Sequence, residues 1–222
     1  MTSRFSRIAG SLISAGVLAF SVLSTAATAA DVIKIGVTPV PHADIVKLIK
    51  PALEKEGVEL KAVEFNDYIQ PNAALADGDL DANFFQTIPY LEEMSRQNGY
   101  KFAILTSVHL EPMAVYSDKY KSVKDLPEGA RIAVPSDPTN EGRALKVLES
   151  AGVIKLKKGA TLLATVKDIV ENPKKVTFYE LEPAQLPRVL PDVAAAVINA
   201  NYALQAGLNP AKDSIAVEPK SS

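Results

Sequence analysis

Apolar positions along the chain follow two periods, one typical of strands and one typical of helices. Residues 32–37 alternate apolar and other side chains and predict a strand. Apolar residues then recur at helical spacing over 45–53, with Gly57 as a stop and Pro51 predicting a kink. Residues 58–65 predict the next strand. This βαβ order is typical of a sheet of parallel strands with helices on both faces.

The same alternation continues to the end of the chain. Up to residue 112 it predicts a short helix at 72–76, a brief strand at 80–82, a helix at 89–97 and a strand at 102–108. A second unit begins near 113–117, with strands at 131–134, 176–181 and 194–198 and helices at 139–150, 165–172 and 185–190. The units lie in tandem, so we predict two α/β lobes with a cleft between them. Lobe 1 comprises 31–112, with 207–222 returning to it, and lobe 2 comprises 113–206.

The first thirty residues are typical of a secretory signal peptide rather than of the fold. Arg4 and Arg7 are followed by an apolar stretch over 8–23 and by small residues at 27–30 suited to cleavage. A membrane anchor is the alternative, but serines interrupt the stretch and it is short for a bilayer span. Because the chain has no cysteine, lipid anchoring, disulfides and thiol chemistry are all excluded. We therefore expect a periplasmic protein that carries no lipid.

The charge of the chain argues against polyanionic partners. Cleavage after residue 30 would leave 22 basic and 26 acidic residues, a net charge of about −4. A weakly acidic protein without basic runs is poorly suited to nucleic acid or to an anionic membrane surface.

Two segments combine residue types that suit a ligand-binding cleft rather than a catalytic centre. The run 66–91 places rings and amides around short turns: Tyr68, Asn83, Phe84, Phe85, Gln86 and Tyr90. The run 133–145 predicts a strand end, a loop and a helix start, with Arg143 in the first helical turn. A helix N-terminus with an added guanidinium is suited to a carboxylate or phosphate. Rings in one segment and an anion site in the other favour an apolar amino acid.

A series of motifs in fixed order is similar to a known family. The motifs are GVTPVPHADIV, FNDYIQPNAALADGDLDANFFQTIPYL, VPSDPTNEGRAL, VENPKK, LEPAQLPR, INANYAL and GLNPAKDSI. They resemble the NlpA lipoprotein family, the methionine-binding substrate-binding proteins of ABC importers, from residue 33 to residue 217. The resemblance implies a two-lobed periplasmic binding fold (type II-like), in which each lobe is a sheet flanked by helices. Such a protein closes on a small ligand and delivers it to a permease at the inner membrane.

The resemblance also implies a set of pocket residues. They are Tyr68, Asn83, Phe85, Gln86 and Tyr90 from lobe 1, and Asn140, Arg143, Asn199, Asn201 and Tyr202 from lobe 2 and its crossovers. By residue type, Arg143 would pair the ligand carboxylate bidentately, Asn199 would bind the amino or carboxylate group, and the rings would enclose a thioether or another apolar side chain.

Several of these residues also suit purely structural roles. Arg143 would equally suit a solvated helix face, the asparagines would suit turns and caps, and one of the adjacent Phe84 and Phe85 belongs in the core. His109, which precedes the crossover together with Glu111, either touches the ligand or lines the hinge. His42 has only one other histidine in the chain, so we predict no metal site. Thr87 stands where many relatives carry histidine, which bears on ligand choice.

Three classes of function are compatible with these features. A transport receptor for methionine, as the L- or D-isomer or in a dipeptide, agrees with the export signal and the two lobes. A protein for another apolar amino acid, or a ligand-dependent signalling or surface protein, is the alternative. An exported enzyme is disfavoured because no nucleophilic elbow, metal-ligand spacing or phosphate loop is present. We expect no cofactor and a monomer.

The chain end carries a further expectation. In the resembled family the sequence continues past GLNPAKDSI through a strand and a closing helix. We therefore expect a fragment or truncated homologue in which the C-terminal part of lobe 1 is missing and lobe 1 is the less stable lobe.

Overall fold

The computed structural model describes residues 31–219, so the expected signal peptide lies outside the described residues. The strands are β1 (Asp31–Val37), β2 (Val58–Glu64), β3 (Ala82–Phe84), β4 (Ala114–Tyr116), β5 (Arg131–Pro135), β6 (Lys155–Leu156), β7 (Ile169–Glu171), β8 (Thr177–Leu181), β9 (Ala195–Ile198) and β10 (Ser214–Val217). The α-helices are α1 (Asp44–Lys55), α2 (Gln70–Ala76), α3 (Ile88–Asn98), α4 (Pro138–Ser150) and α5 (Ala200–Gln205). Within this part of the chain no helix is long and apolar enough to cross a membrane.

The first lobe is built on a parallel three-stranded sheet. Its order is β2-β1-β3, and Ile35 in the middle of β1 lies opposite Ala62 on one side and Ala82 on the other. The connections run through α1 and α2, as expected from the βαβ pattern. Val37 and Leu60 pack with Val46 of α1 to form a small core.

The second lobe is built on a five-stranded mixed sheet with a core on each face. Its order is β10-β4-β9-β5-β8, where β4 runs antiparallel to both neighbours and β5 is parallel to β9 and β8. Alternate residues of β9 enter opposite cores, with Val197 facing α4 and Ile198 facing the other side. Pro183–Asp192, a 3₁₀ segment, covers that second face. The two cores account for the continuously apolar strands of this lobe.

Three features differ from the sequence-based expectations. The predicted strand at 102–108 is wrong, because 99–113 forms no helix or strand and Leu105 is 85% exposed. An apolar alternation supplies strand propensity, but a strand also needs a paired neighbour, and none of the described strands provides one. The expected return of 207–222 to lobe 1 is not found in the described part of that range, because β10 pairs with β4 in the second sheet.

The third difference concerns the helix expected at 165–172. The structure has a single 3₁₀ turn, Val166–Asp168, and then β7, which pairs with β6. The Thr165 N–H donates to the Asp168 carboxylate at 2.9 Å, which closes the turn locally. Pairing with β6 then provides hydrogen bonds that a longer helix would have had to make internally. The lobe boundaries as a whole stay a prediction.

Candidate ligand-binding site

A cleft lies where the two lobes meet. Lobe 1 contributes the end of β3 and the start of α3, and lobe 2 contributes α4 and the end of β9. The residues around it are Tyr68, Phe85, Gln86, Thr87, Tyr90, Glu111, Asn140, Arg143, Asn199, Ala200 and Asn201. The lining combines aromatic rings with a small number of polar groups, which is typical of small-molecule sites.

Three aromatic rings form a box on the lobe 1 side. The ring centroids of Tyr68 and Phe85 are 5.9 Å apart, those of Tyr68 and Tyr90 5.8 Å, and those of Phe85 and Tyr90 6.2 Å. The Tyr90 hydroxyl donates to the Tyr68 carbonyl oxygen at 3.0 Å, which fixes the Tyr90 ring relative to the Tyr68 backbone. Burial raises the pKa of both tyrosines, so both hydroxyls stay neutral. The box therefore offers an apolar, sulfur-compatible surface.

Thr87 has a structural role that its sequence position did not reveal. It is the N-cap of α3, and its hydroxyl accepts a hydrogen bond from the Tyr90 N–H at 3.4 Å. It also borders the cleft. The residue that departs from the family pattern is thus both a helix cap and part of the cleft wall.

A network of three amides supports the wall behind the rings. The Asn72 Oδ1 atom accepts from Asn83 Nδ2 at 2.9 Å and from Gln86 Nε2 at 2.8 Å, while Asn72 Nδ2 donates to Gln86 Oε1 at 2.9 Å. Asn72 is 1% exposed and was not among the predicted residues. Asn83 lies in this network rather than on the cleft surface, so it orients Gln86, which does border the cleft.

A chain of polar side chains forms the lobe 2 wall. The Asp137 carboxylate caps α4 by accepting from the Asn140 N–H at 3.0 Å, and it also accepts from Asn140 Nδ2. Asn140 Oδ1 in turn accepts from Asn199 Nδ2 at 2.9 Å. Because this hydrogen bond to Asn140 uses Nδ2 of the Asn199 amide, Asn199 Oδ1 points away from Asn140. Asn199 Oδ1 is buried and has no hydrogen-bond partner among residues 31–219. The site thus has a buried acceptor that a polar ligand group would satisfy.

The α4 N-terminus differs from the expected anion site. Asp137 already occupies the cap, and Arg143 lies in the second turn of a helix that begins at Pro138. Arg143 donates from Nε to Glu218 Oε1 at 2.9 Å and from Nη2 to Glu218 Oε2 and to the Glu111 carbonyl oxygen, both at 2.6 Å. These bonds involve Nε and Nη2 of the guanidinium, and none of them involves Nη1.

Two hydrogen bonds join the two lobes, one at the cleft and one behind it. The Tyr68 hydroxyl donates to Asn201 Oδ1 at 2.6 Å, and the Tyr202 hydroxyl donates to the Asn66 carbonyl oxygen at 3.1 Å. The Tyr68 and Tyr202 rings also lie 5.1 Å apart. Tyr202 therefore acts behind the cleft by packing on Tyr68, while Asn201 borders it. Asn201 Nδ2 is a second buried polar atom without a partner in the described part of the chain.

A carboxylate and two histidines stand at the edge of the cleft. Glu111 Oε1 lies 2.7 Å from His109 Nε2 and 3.6 Å from His42 Nε2. Burial raises the pKa of Glu111, and the hydrogen bond with His109 opposes that shift. Burial, followed by the charge of His109, lowers the pKa of His42 to about 4. His109 itself does not border the cleft and reaches it only through Glu111.

Eight of the eleven residues predicted for the pocket border this cleft, and the other three lie directly behind it. Those behind are Asn83, His109 and Tyr202. Sequence reasoning left the role of Glu111 open and missed Asn72, Ala200 and Glu218. Ala200 carries no chemical signal, and Glu218 and Asn72 are identified only by partners far away in sequence. Contact between a ligand and any of the eleven predicted residues stays a prediction.

Comparison with known proteins agrees with this architecture. The NlpA lipoprotein family model matches residues 33–222. The chain is 50% identical over 191 residues to a probable D-methionine-binding lipoprotein MetQ of Vibrio cholerae. The matched region covers 86% of this chain and 71% of that protein. It is 49% identical over 193 residues to the D-methionine-binding lipoprotein MetQ of Escherichia coli K12, with the same coverage of 86% and 71%.

A solved structure is similar at the level of the fold. A nutrient binding protein from Burkholderia cenocepacia bound to methionine is 55% identical, with a TM-score of 0.83, over 86% of this chain and 80% of that one. The ordered motifs, the two-lobed fold and these matches together show that the chain belongs to the NlpA lipoprotein family.

Proposed function

We propose that this protein is the substrate-binding protein of an ABC importer, that it holds methionine in the interlobe cleft and that it delivers it to a membrane permease. The observation that carries the proposal is a box of three rings facing a wall of amides and a guanidinium across the cleft. The methionine-bound relative at 55% identity supports the same assignment. The role is binding, not catalysis.

The polar groups of the cleft suit the two charged ends of an amino acid. Arg143 Nη1 is the cation for the carboxylate, by an end-on contact rather than the bidentate one expected from sequence. Asn199 Oδ1 and the Glu111 carboxylate are acceptors for the ammonium group. The thioether then enters the box of Tyr68, Phe85 and Tyr90.

We further propose that the protein acts in the periplasm as a monomer with one ligand per chain. Relatives are named lipoproteins, and the expected cleavable signal supports a periplasmic location for this protein. Tyr68 and Tyr202, whose hydroxyl groups donate hydrogen bonds from one lobe to the other, are the residues that would hold the closed state presented to the permease.

The test uses the purified protein stripped of ligand by unfolding and refolding. L-methionine, D-methionine and methionyl dipeptides are added in calorimetry and thermal-shift experiments, with leucine and methionine sulfoxide as comparisons. At a hundredfold excess over Kd, a ligand of the folded state stabilises it by about 2.7 kcal/mol. We expect methionine to bind with one ligand per chain and the polar sulfoxide to bind more weakly.

Two results would contradict the proposal. If no methionine compound raises the melting temperature, the ligand class is wrong. If leucine binds more tightly than methionine, the protein is a receptor for another apolar amino acid.

A further inference from the structure

The fold brings together the only two histidines of the chain. His42 lies in the turn Pro39–Ala43 that follows β1, and His109 lies in the irregular segment 99–113. Their ring centroids are 5.2 Å apart. Glu111 completes the cluster, and one ligand atom from each of the three residues lies within 4.8 Å of the others. Sequence reasoning dismissed a metal site because the chain has only two histidines.

The distances are close to those of a metal-ligand set. Zn²⁺ holds nitrogen and oxygen ligands at about 2.0–2.2 Å in tetrahedral geometry, which places ligand atoms roughly 3.4 Å from one another. Glu111 Oε1 lies 2.7 Å from His109 Nε2 and 3.6 Å from His42 Nε2. Side-chain shifts on the order of 1 Å would bring all three atoms to one ion. Two imidazoles and a carboxylate are also a recurrent catalytic-type zinc set, which keeps a position for water.

His42 has the outer partner that metal-binding histidines usually have. Its Nδ1 atom lies 2.6 Å from the hydroxyl of Thr38, a fully buried residue. A threonine hydroxyl both donates and accepts, so it satisfies either tautomer of the imidazole. When Nδ1–H donates to Thr38, the lone pair of Nε2 faces Glu111, an arrangement that a cation between them stabilises.

The surroundings protect one side of the cluster and leave the other accessible. The Phe84 ring lies 4.6 Å from the His42 ring and 5.6 Å from the His109 ring, which forms an apolar wall. The His42 side chain is 5% exposed, whereas that of His109 is 26% exposed. An ion would thus enter from the His109 side.

We propose that His42, His109 and Glu111 form a binding site for a Zn²⁺-type divalent transition-metal ion at the rim of the cleft. The ion would link segment 99–113, which has no strand pairing of its own, to the turn in front of α1. This site is separate from the proposed methionine contacts except at Glu111, and its test does not depend on methionine binding.

The experiment titrates Zn²⁺, and Co²⁺ as a spectroscopic probe, into the protein without a polyhistidine tag and without ligand. Because the chain has two histidines and no cysteine, imidazole coordination reports on this cluster alone. We expect one equivalent of ion, a Co²⁺ spectrum with nitrogen ligands, a higher melting temperature, and little competition from Mg²⁺.

The variant His109→Gln tests the assignment because its side chain is partly exposed and its loss spares the core. We expect it to weaken Zn²⁺ binding by more than the roughly 10–100-fold typical of losing an outer partner, and to abolish the melting-temperature shift. Glu128→Gln, at an exposed carboxylate that pairs with Lys175, is the matched control and should bind like the parent protein. Circular dichroism in chelator establishes that each variant is folded.

The outcomes separate the metal site from a plain hydrogen-bonded cluster. Absence of saturable binding to the parent protein would overturn the proposal, as would a His109→Gln affinity within threefold of the parent. If His109→Gln does not fold, the Co²⁺ spectrum of the parent decides, because a spectrum of oxygen ligands only would equally refute the site.

Discussion

Arg143 links the proposed ligand site to the stability of the fold, so its replacement should change both. The side chain is 17% exposed and its partner Glu218 is 12% exposed. Three hydrogen bonds tie the guanidinium to Glu218 and to the Glu111 backbone. The sequence alone predicted only a contact between Arg143 and the ligand carboxylate. The structure predicts both effects.

The effect on folding follows from what the variant Arg143→Met leaves behind. Glu218 would lose its ion pair with Arg143 in a largely buried place, although Met113 N–H would still donate to its Oε2 atom. Removing one partner of a buried pair costs about 3–5 kcal/mol, and partial exposure lowers that figure, so we expect a loss of about 2–4 kcal/mol in the free energy of unfolding. In the double variant Arg143→Met/Glu218→Gln most of this loss should be recovered, because Glu218→Gln removes the charge that Arg143 compensates.

The effect on the ligand follows from the remaining nitrogen, Nη1. One charge-assisted hydrogen bond contributes about 1.5–3 kcal/mol, which corresponds to roughly 10- to 150-fold in affinity for methionine. This loss should persist in the double variant, because Glu218→Gln supplies no new cation. The two variants therefore separate the binding role of Arg143 from its structural role.

Urea denaturation without ligand and calorimetry with methionine measure the two quantities on the same samples. Recovered stability together with weak binding in the double variant is the expected result. Methionine affinity within twofold of the parent in that variant would refute the reasoning, and Arg143 would then serve only to hold Glu218 and the crossover.

Three further predictions follow from other parts of the structure. Acid should destabilise the protein through His42: its folded pKa of about 4 lies below its unfolded value of about 6.5, so the unfolded chain binds the proton first. The contribution of His42 to the free energy of unfolding is therefore full above about pH 6.5 and falls by ~3 kcal/mol as the pH drops to about 4. Urea denaturation in the presence of a chelator should show a weaker pH dependence of the midpoint for His42→Gln than for the parent protein. Gly142→Ala would place a Cβ 2.1 Å from the Leu162 carbonyl oxygen, so it should lower the free energy of unfolding by about 1–3 kcal/mol or more. An unchanged melting temperature would show that the backbone at Leu162 moves aside without cost. Tyr68→Phe removes the bond to Asn201 across the cleft and should weaken methionine binding by about 1 kcal/mol in calorimetry, whereas unchanged affinity would mean that the bond does not hold the closed state.

Elements that follow from local pattern were predicted well. The helix expected at 139–150 is Pro138–Ser150, and the helix expected at 89–97 is Ile88–Asn98. Both have strong caps and a clear helical period, so their bounds depend on residues within a few positions of each end. The strand at 194–198 was identified in the same way, by a continuous apolar run.

Elements that depend on distant partners were predicted poorly. The alternation at 102–108 carries strand propensity, yet no described strand pairs with it, and β10 joined the second sheet rather than the first. Nothing within either segment distinguishes a paired strand from an unpaired one. Pairing is decided by whichever edge the rest of the chain presents.

The candidate site divides in the same way. The sequence by itself determined which residue types meet in two short segments, the rings around Tyr68 and the polar start of α4, because their spacing and chemistry are local. Only the tertiary structure decided that Glu218 pairs with Arg143, that Asn72 supports Gln86 and that His42 meets His109. These contacts join residues far apart in sequence, and their geometry exists only once two sheets and their connections have packed against each other.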